Sequence, residues 1–310
     1  MKIFASLLLV LSFSTVAYCD TEEEPYEFYA DQVLYVLGDS VNIRQEASTS
    51  AKSVAIVAIG TKVRIIKKTE TQLTLNGFTM SWYQVEFNSK QKGYVWGGKL
   101  AKNSFRSSKN TDYIFHFGLE KMVEGQAFYQ IRVEKNHKEV QRVSFEGFFG
   151  KEKDHTITNY GSRGITNIDD VLYVDADAQY CGDDGGSIVF FFSGNKLYSI
   201  QKLYDVADAP VFATDTFIFP ADMEGKKGQI LLHEEAGEYI FSEDENNSDP
   251  PTVEYSTNTT TVFQWDGKKL VKKWWLRYSN RHFRWWHVND PVYIRDGTRV
   301  KCCFDNTLKH

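Results

Sequence analysis

Ser40-Val41-Asn42-Ile43-Arg44, Ala58-Ile59-Gly60-Thr61-Lys62-Val63-Arg64-Ile65-Ile66, Trp82-Tyr83-Gln84-Val85-Glu86-Phe87 and Lys92-Gly93-Tyr94-Val95-Trp96-Gly97-Gly98-Lys99-Leu100 decide the fold. Each block alternates apolar and polar residues, the period of a strand with one face in a core. Gly60, Asn76-Gly77 and Asn88-Ser89 stand between blocks, where a chain of short strands must turn. The spacing predicts a small barrel over residues 32–101.

The order N-[IV]-R, G-T-x-V, W-Y-x-V, G-Y-V and a final Leu resembles the bacterial SH3 (SH3b) domain. The resemblance is confined to residues 32–101 of a 310-residue chain. It implies an SH3-like barrel and a non-catalytic binding module, often a cell-wall or peptide binder on secreted proteins. Family members often carry Gly-Pro after the Arg, where this chain reads Gln45-Glu46-Ala47-Ser48. Aromatic faces suit sugar rings or extended peptide, so Tyr35, Trp82, Tyr83, Tyr94 and Trp96 are the ligand candidates. Alternation puts Trp82 and Tyr83 on opposite faces, and Tyr94 and Trp96 on the same one. The resemblance makes Trp82 core, which leaves Tyr83, Tyr94 and Trp96 as the expected binding residues. The other reading of all five is packing.

Before the barrel, Lys2 and the apolar run Ile3 to Val16 lead to Ala17-Tyr18-Cys19, a secretory signal peptide over residues 1–19. Val16-Ala17-Tyr18-Cys19 also loosely fits a lipoprotein box, in which Cys19 would be acylated and kept. Either way the expected localisation is extracytoplasmic, with membrane contact only through Cys19. Residues 20–31 read as an acidic, solvated leader, and residues 102–111 as a polar linker.

From residue 112 to 273 the strand signals resume. Aromatics make up 15% of the chain and favour strands, so the fold class is all-β, with a larger sandwich or propeller-like domain after the barrel. Val189-Phe190-Phe191-Phe192-Ser193-Gly194-Asn195-Lys196-Leu197 is echoed by Val262-Phe263-Gln264-Trp265-Asp266-Gly267-Lys268-Lys269-Leu270, which suggests a duplicated hairpin. Glu234 to Glu254 holds eight acidic residues without Lys or Arg and reads as a long exposed loop. Residues 274–310 form a basic aromatic tail, either a surface patch for anionic polymers or membranes, or a pair of terminal strands.

Several chemistries find no support. The net charge of −5, or −6 without Lys2, argues against nucleic acid. Cys181-Gly182-Asp183-Asp184-Gly185-Gly186 carries Asp184 where a trypsin-like protease needs its serine. His116, His137, His155 and His233 lack metal-ligand spacing, and no cofactor motif occurs. Asp169, Asp170, Asp175, Asp177, Asp183 and Asp184 could hold calcium, but turn carboxylates explain them more simply. Cys181 could bridge Cys302 or Cys303, or all three could be buried thiols. The expected function is non-catalytic binding of peptidoglycan or an extended peptide. The alternatives are an envelope structural or assembly protein and an unrecognised hydrolase in the second domain.

Overall fold

The computed structural model describes residues 24–148, 154–176, 184–208, 210–240 and 252–279. The signal peptide, the three cysteines after Cys19 and the tail beyond residue 279 lie outside the described residues, as does the segment 241–251.

The chain is all-β. Strands β1 (Val33–Tyr35), β2 (Val41–Arg44), β3 (Ser53–Val57), β4 (Lys62–Leu75), β5 (Phe78–Phe87) and β6 (Gln91–Trp96) form a six-stranded sheet in the order β1-β4-β5-β6-β2-β3. Period-two burial closes it around Val41, Ile43, Val63, Ile65, Val85 and Val95. Four of these strands carry the blocks that the sequence offers. β1 and β3 are additions, and β4 runs well past Ile66.

β4 and β5 form a long hairpin whose two-residue turn is Asn76-Gly77, with φ of 58° and 82°. Both torsions are left-handed, the geometry that makes Asn-Gly the favoured pair. A Cβ on Gly77 would also sit 2.0 Å from the Met122 carbonyl oxygen. The turn therefore needs glycine twice over, once for φ and once for the close docking of the hairpin tip. That docking is completed by Met122 N–H donating to the Asn76 carbonyl at 2.9 Å.

Part of the stretch expected as a polar linker, residues 103–106, is a strand. β7 (Asn103–Arg106) pairs with β8 (Tyr113–Val123), followed by β9 (Gln126–Lys135) and β10 (Lys138–Glu146), giving a four-stranded sheet in the order β10-β9-β8-β7. The side chains of Lys102, Ser104, Arg106, Ser107, Ser108 and Lys109 each have a partner. Ser107 Oγ and Ser108 N donate to the fully buried Asp170 carboxylate at 2.5 and 2.7 Å, and Asn159 Nδ2 adds a third bond at 2.8 Å. Asp170 thus belongs to a structural junction, as does Asp169, which pairs with Lys109 at 2.9 Å. Asp175 accepts from Ser187 Oγ at 2.6 Å.

The remaining strands are β11 (His155–Asn159), β12 (Asp170–Ala176), β13 (Asp184–Ser193), β14 (Lys196–Asp208), β15 (Val211–Ile218), β16 (Ile230–Ile240), β17 (Thr252–Trp265) and β18 (Leu270–Ser279). They form one eight-stranded antiparallel meander in sequence order. The acidic stretch expected as a loop is partly strand, since β16 runs to Ile240 and β17 starts at Thr252. Trp274 and Trp275 fall in β18.

β13 is apolar on both faces because both are covered. Phe190 and Phe192 meet Phe145 and Phe115 of the four-stranded sheet at ring distances of 4.9 and 5.0 Å. Val189 and Phe191 belong to a second core with Phe217, Phe219 and Trp265. Face-to-face packing of two sheets is the sandwich alternative. The first core runs without a break from Phe28 through the barrel and the four-stranded sheet to Leu197.

The internal echo is structural as well. Phe192 pairs with Leu197 and Trp265 with Leu270, and each hairpin shifts register at the same place, between Val189 and Phe190 and between Val262 and Phe263. Side-chain bonds differ at the turns. Asp266 Oδ1 accepts from the Lys268 and Lys269 amides beside Gly267 at positive φ, whereas Gly194 and Asn195 are both at positive φ.

Candidate functional site

The register between β5 and β6 sets Trp82 opposite Trp96, Gln84 opposite Tyr94 and Tyr83 opposite Val95. Tyr94 and Trp96 therefore share a parity, and Tyr83 points with Val85 and Val95 into the barrel. The three expected binding residues meet different fates.

Trp96 is 4% exposed. The distal half of the β4–β5 hairpin folds over it: its indole N–H donates to the Leu73 and Met80 carbonyls at 2.9 and 3.0 Å, and its ring lies 5.2 Å from Phe78. A Cβ on Gly98 would fall 2.4 Å from the same ring. Tyr83 is fully buried, and its hydroxyl accepts the Phe28 N–H at 3.3 Å. Both rings are closed to ligand in this structure. Alternation anticipates that one face of β5 is core; that both are covered depends on distant segments, which alternation does not report.

Tyr94 stays half-exposed on the outward face. It stands opposite Arg44 of β2 as well as Gln84 of β5, and Asn42 beside Arg44 stands opposite Ile56 of β3. Ile56 is 68% exposed, and β3 is an edge strand, paired on one side to β2. Tyr94, Arg44, Asn42 and Ile56 thus form an outward patch beside an edge whose backbone groups are open. Ile56 is absent from the residues expected to bind. Ser53-Val54-Ala55-Ile56-Val57 is apolar from Val54 to Val57, so its sequence has no alternation to mark Ile56 as outward; the burial pattern does. Tyr35 lies elsewhere, half-buried between the Lys62 ammonium and the His116 ring.

Residues 39–101 match the family model described as the bacterial SH3 domain. The barrel is a bacterial SH3 domain. No curated protein and no solved structure matches the chain. The match begins at Asp39, so β1 and the segment before it are outside the matched SH3 residues, although β1 completes the sheet.

That preceding segment packs tightly. Glu24 accepts from Ser81 Oγ at 2.5 Å and Gln72 Nε2 at 3.0 Å, and pairs with Lys68 Nζ at 3.1 Å. Burial opposes its negative charge, but these bonds outweigh it and hold its pKa below the ordinary value. Phe28 is buried against Tyr83 with rings 5.5 Å apart. The expected solvated leader is, over residues 24–28, a strap on the SH3 domain.

A second cluster lies at the seam with the four-stranded sheet. Ser104 Oγ is 2.8 Å from His116 Nδ1, and His116 Nε2 is 3.2 Å from Glu134 Oε2. Glu134 Oε1 also accepts the His137 N–H at 2.6 Å. These are the residue types of nucleophile, base and orienting carboxylate. His116 has no exposed surface, however, from which to pass a proton to substrate, and Ser104 is half-buried. The trio joins β7, β8 and β9 to the Gly60 turn, where an added Cβ would lie 2.4 Å from Glu134 Oε2.

A cavity of about 350 Å³ opens on the eight-stranded sheet between Tyr173, Asp175, Asp205, Asp215 and Phe217. Burial raises the Asp215 pKa, against a bond from the Tyr204 N–H at 3.1 Å. Among the described residues, no three His, Cys, Asp or Glu side chains gather as a metal would require. No described helix is long and apolar enough to cross a membrane.

Proposed function

We propose that this is a non-catalytic extracytoplasmic binding protein whose SH3 domain holds the peptide of the bacterial cell wall on the Tyr94 face. The domain match supports a wall-binding role, because bacterial SH3 domains are commonly modules of that kind and typically extracellular. The observation that carries the location is the outward patch of Tyr94, Arg44 and Ile56 beside the open β3 edge. An extended peptide can pair with such an edge through its backbone while a neighbouring ring and guanidinium take its side groups. The half-buried Ser104 and the buried His116 and Glu134 fit a structural role in this reading.

Retention of the full chain on purified cell wall tests it. Wild type is expected to sediment with the wall, and Tyr94→Ala and Ile56→Asp to lose at least about tenfold in affinity while keeping the wild-type circular dichroism, as hot-spot losses of 1.4 kcal/mol or more would give. Equal retention by both variants would move the site off this face. No retention by wild type would end the wall-binding reading.

A further inference from the structure

The strap at residues 24–28 is bound to the SH3 domain in the manner of a ligand. It forms no strand of its own and reaches the barrel through side chains and one amide. The receiving surface is made by two cross-strand pairs, Lys68 with Tyr83 and Gln72 with Ser81. Lys68, Gln72 and Ser81 converge on one carboxylate oxygen of Glu24, and Lys68 also reaches Glu27 Oε1 at 3.1 Å. The Glu24 side chain is 8% exposed, and its second oxygen is buried without a partner. Four residues along, Phe28 enters an aromatic slot against Tyr83, with Tyr26 edge-on at 5.5 Å.

The barrel thus presents three donors for a carboxylate next to a slot for an aromatic ring, at the spacing of Glu-x-x-x-Phe. We infer that this surface is a second binding site of the SH3 domain, for an acidic, aromatic extended peptide, and that the chain's own residues 24–28 occupy it in cis. The site is separate from the Tyr94 face and does not depend on it. Its chemistry is read from the occupant: a carboxylate for Lys68, Gln72 and Ser81, and a ring for Tyr83. A tether this short presents the strap at an effective concentration on the order of millimolar, so a free peptide enters only when the strap is weakened.

The test uses the full chain and a fluorescein-labelled peptide of residues 22–31. In the Glu24→Ala/Phe28→Ala chain the peptide is expected to bind at least about tenfold tighter than in wild type, as loss of the cis competitor requires. Adding Lys68→Glu to that chain should abolish binding. A peptide carrying Glu24→Lys and Glu27→Lys should bind the Lys68→Glu chain in its place, a recovery that a purely structural strap would not give. If Glu24→Ala/Phe28→Ala fails to fold, Glu24→Gln/Glu27→Gln keeps every apolar contact and carries the same comparison. A folded, strap-weakened chain that binds the peptide no tighter than wild type overturns the proposal. So does binding that ignores Lys68→Glu.

Discussion

The SH3 barrel and the eight-stranded meander are built from the same alternating strands, yet they are held in opposite ways. In the meander each strand pairs with its neighbours in sequence, and the order β11 to β18 is the order of the chain. In the barrel β1 reaches β4, and β6 reaches back to β2, so closure brings together residues far apart in sequence. The barrel is also covered from outside by pieces that precede and follow its matched residues. The strap lies on Tyr83, the hairpin tip docks on Met122, and the Ala101 and Lys102 amides bond the Tyr35 and Phe117 carbonyls at 2.9 and 2.8 Å. A recognisable domain is therefore not the same thing as an independent one. The match ends at Ala101, whereas the core continues to Leu197.

The sharpest way to break this contrast is to cut the chain at the end of the barrel. A fragment of residues 24–101 loses the cover over Leu37, whose side chain packs onto Gly118 closely enough that a Cβ there would lie 2.8 Å away. It also loses the docking of Gly77 and the seam at Gly60. Each large apolar side chain uncovered costs about 1.5–3 kcal/mol. The fragment should melt at least about 15 °C below the barrel signal in the full chain, as a loss of several kcal/mol implies for a domain this small. Equal melting temperatures in scanning calorimetry would restore the barrel as an independent unit.

The barrel's strands were legible because a two-residue period and a handful of turn residues specify them locally. Gly60 and Asn76-Gly77 announce their turns through torsions that few other residues adopt. The candidate site was legible only in part. Tyr94 lies outward because its immediate neighbours Gly93 and Val95 lie inward, a fact of alternation. Trp96 has the same parity and is nonetheless closed, because the hairpin that covers it turns some twenty positions earlier in the chain, at Asn76-Gly77. Residues 102–111 misled for a related reason. Their polarity suits a linker, but the Ser107 hydroxyl serves the buried Asp170 and the Ser108 hydroxyl donates to the Asp169 carbonyl. Composition shows that a side chain can hydrogen-bond and does not show with what.

Neighbours two residues apart sharpen the contrast next. Trp96→Ala removes a buried ring and leaves the Leu73 and Met80 carbonyls without their indole donor, so it should cost about 3–5 kcal/mol. Tyr94→Ala, on the half-exposed side, should cost about 1 kcal/mol or less. Urea denaturation of the two variants checks both. A Trp96→Ala cost as small as that of Tyr94→Ala would mean that the hairpin does not close over the indole in solution.

An effect smaller than that of Trp96→Ala is expected at the seam where the barrel and the four-stranded sheet meet. Glu134 is nearly fully buried, with His116 on one oxygen and the His137 amide on the other, and the His137 ring 3.9 Å away. Burial works against its charge, yet the bonds from His116 and His137 prevail and its pKa lies below the ordinary 4.5. A carboxyl whose folded pKa is depressed binds fewer protons folded than unfolded across that interval. Its contribution is therefore complete above about pH 4.5, the ordinary carboxylate value, and is lost as pH falls through the folded value. At pH 7, Glu134→Gln should cost about 1.5–3 kcal/mol, the worth of hydrogen bonds to a charged acceptor. The gap between wild type and variant should narrow as the pH drops below 4.5. Urea midpoints for both proteins between pH 3 and 7 measure it, since other carboxylates titrate alike in the two. A gap that stays constant across the range would show that Glu134 carries no proton-linked share of the seam. The hold of the barrel on the sheet would then rest on the apolar contacts of Leu37, Phe117 and the docked hairpin tip.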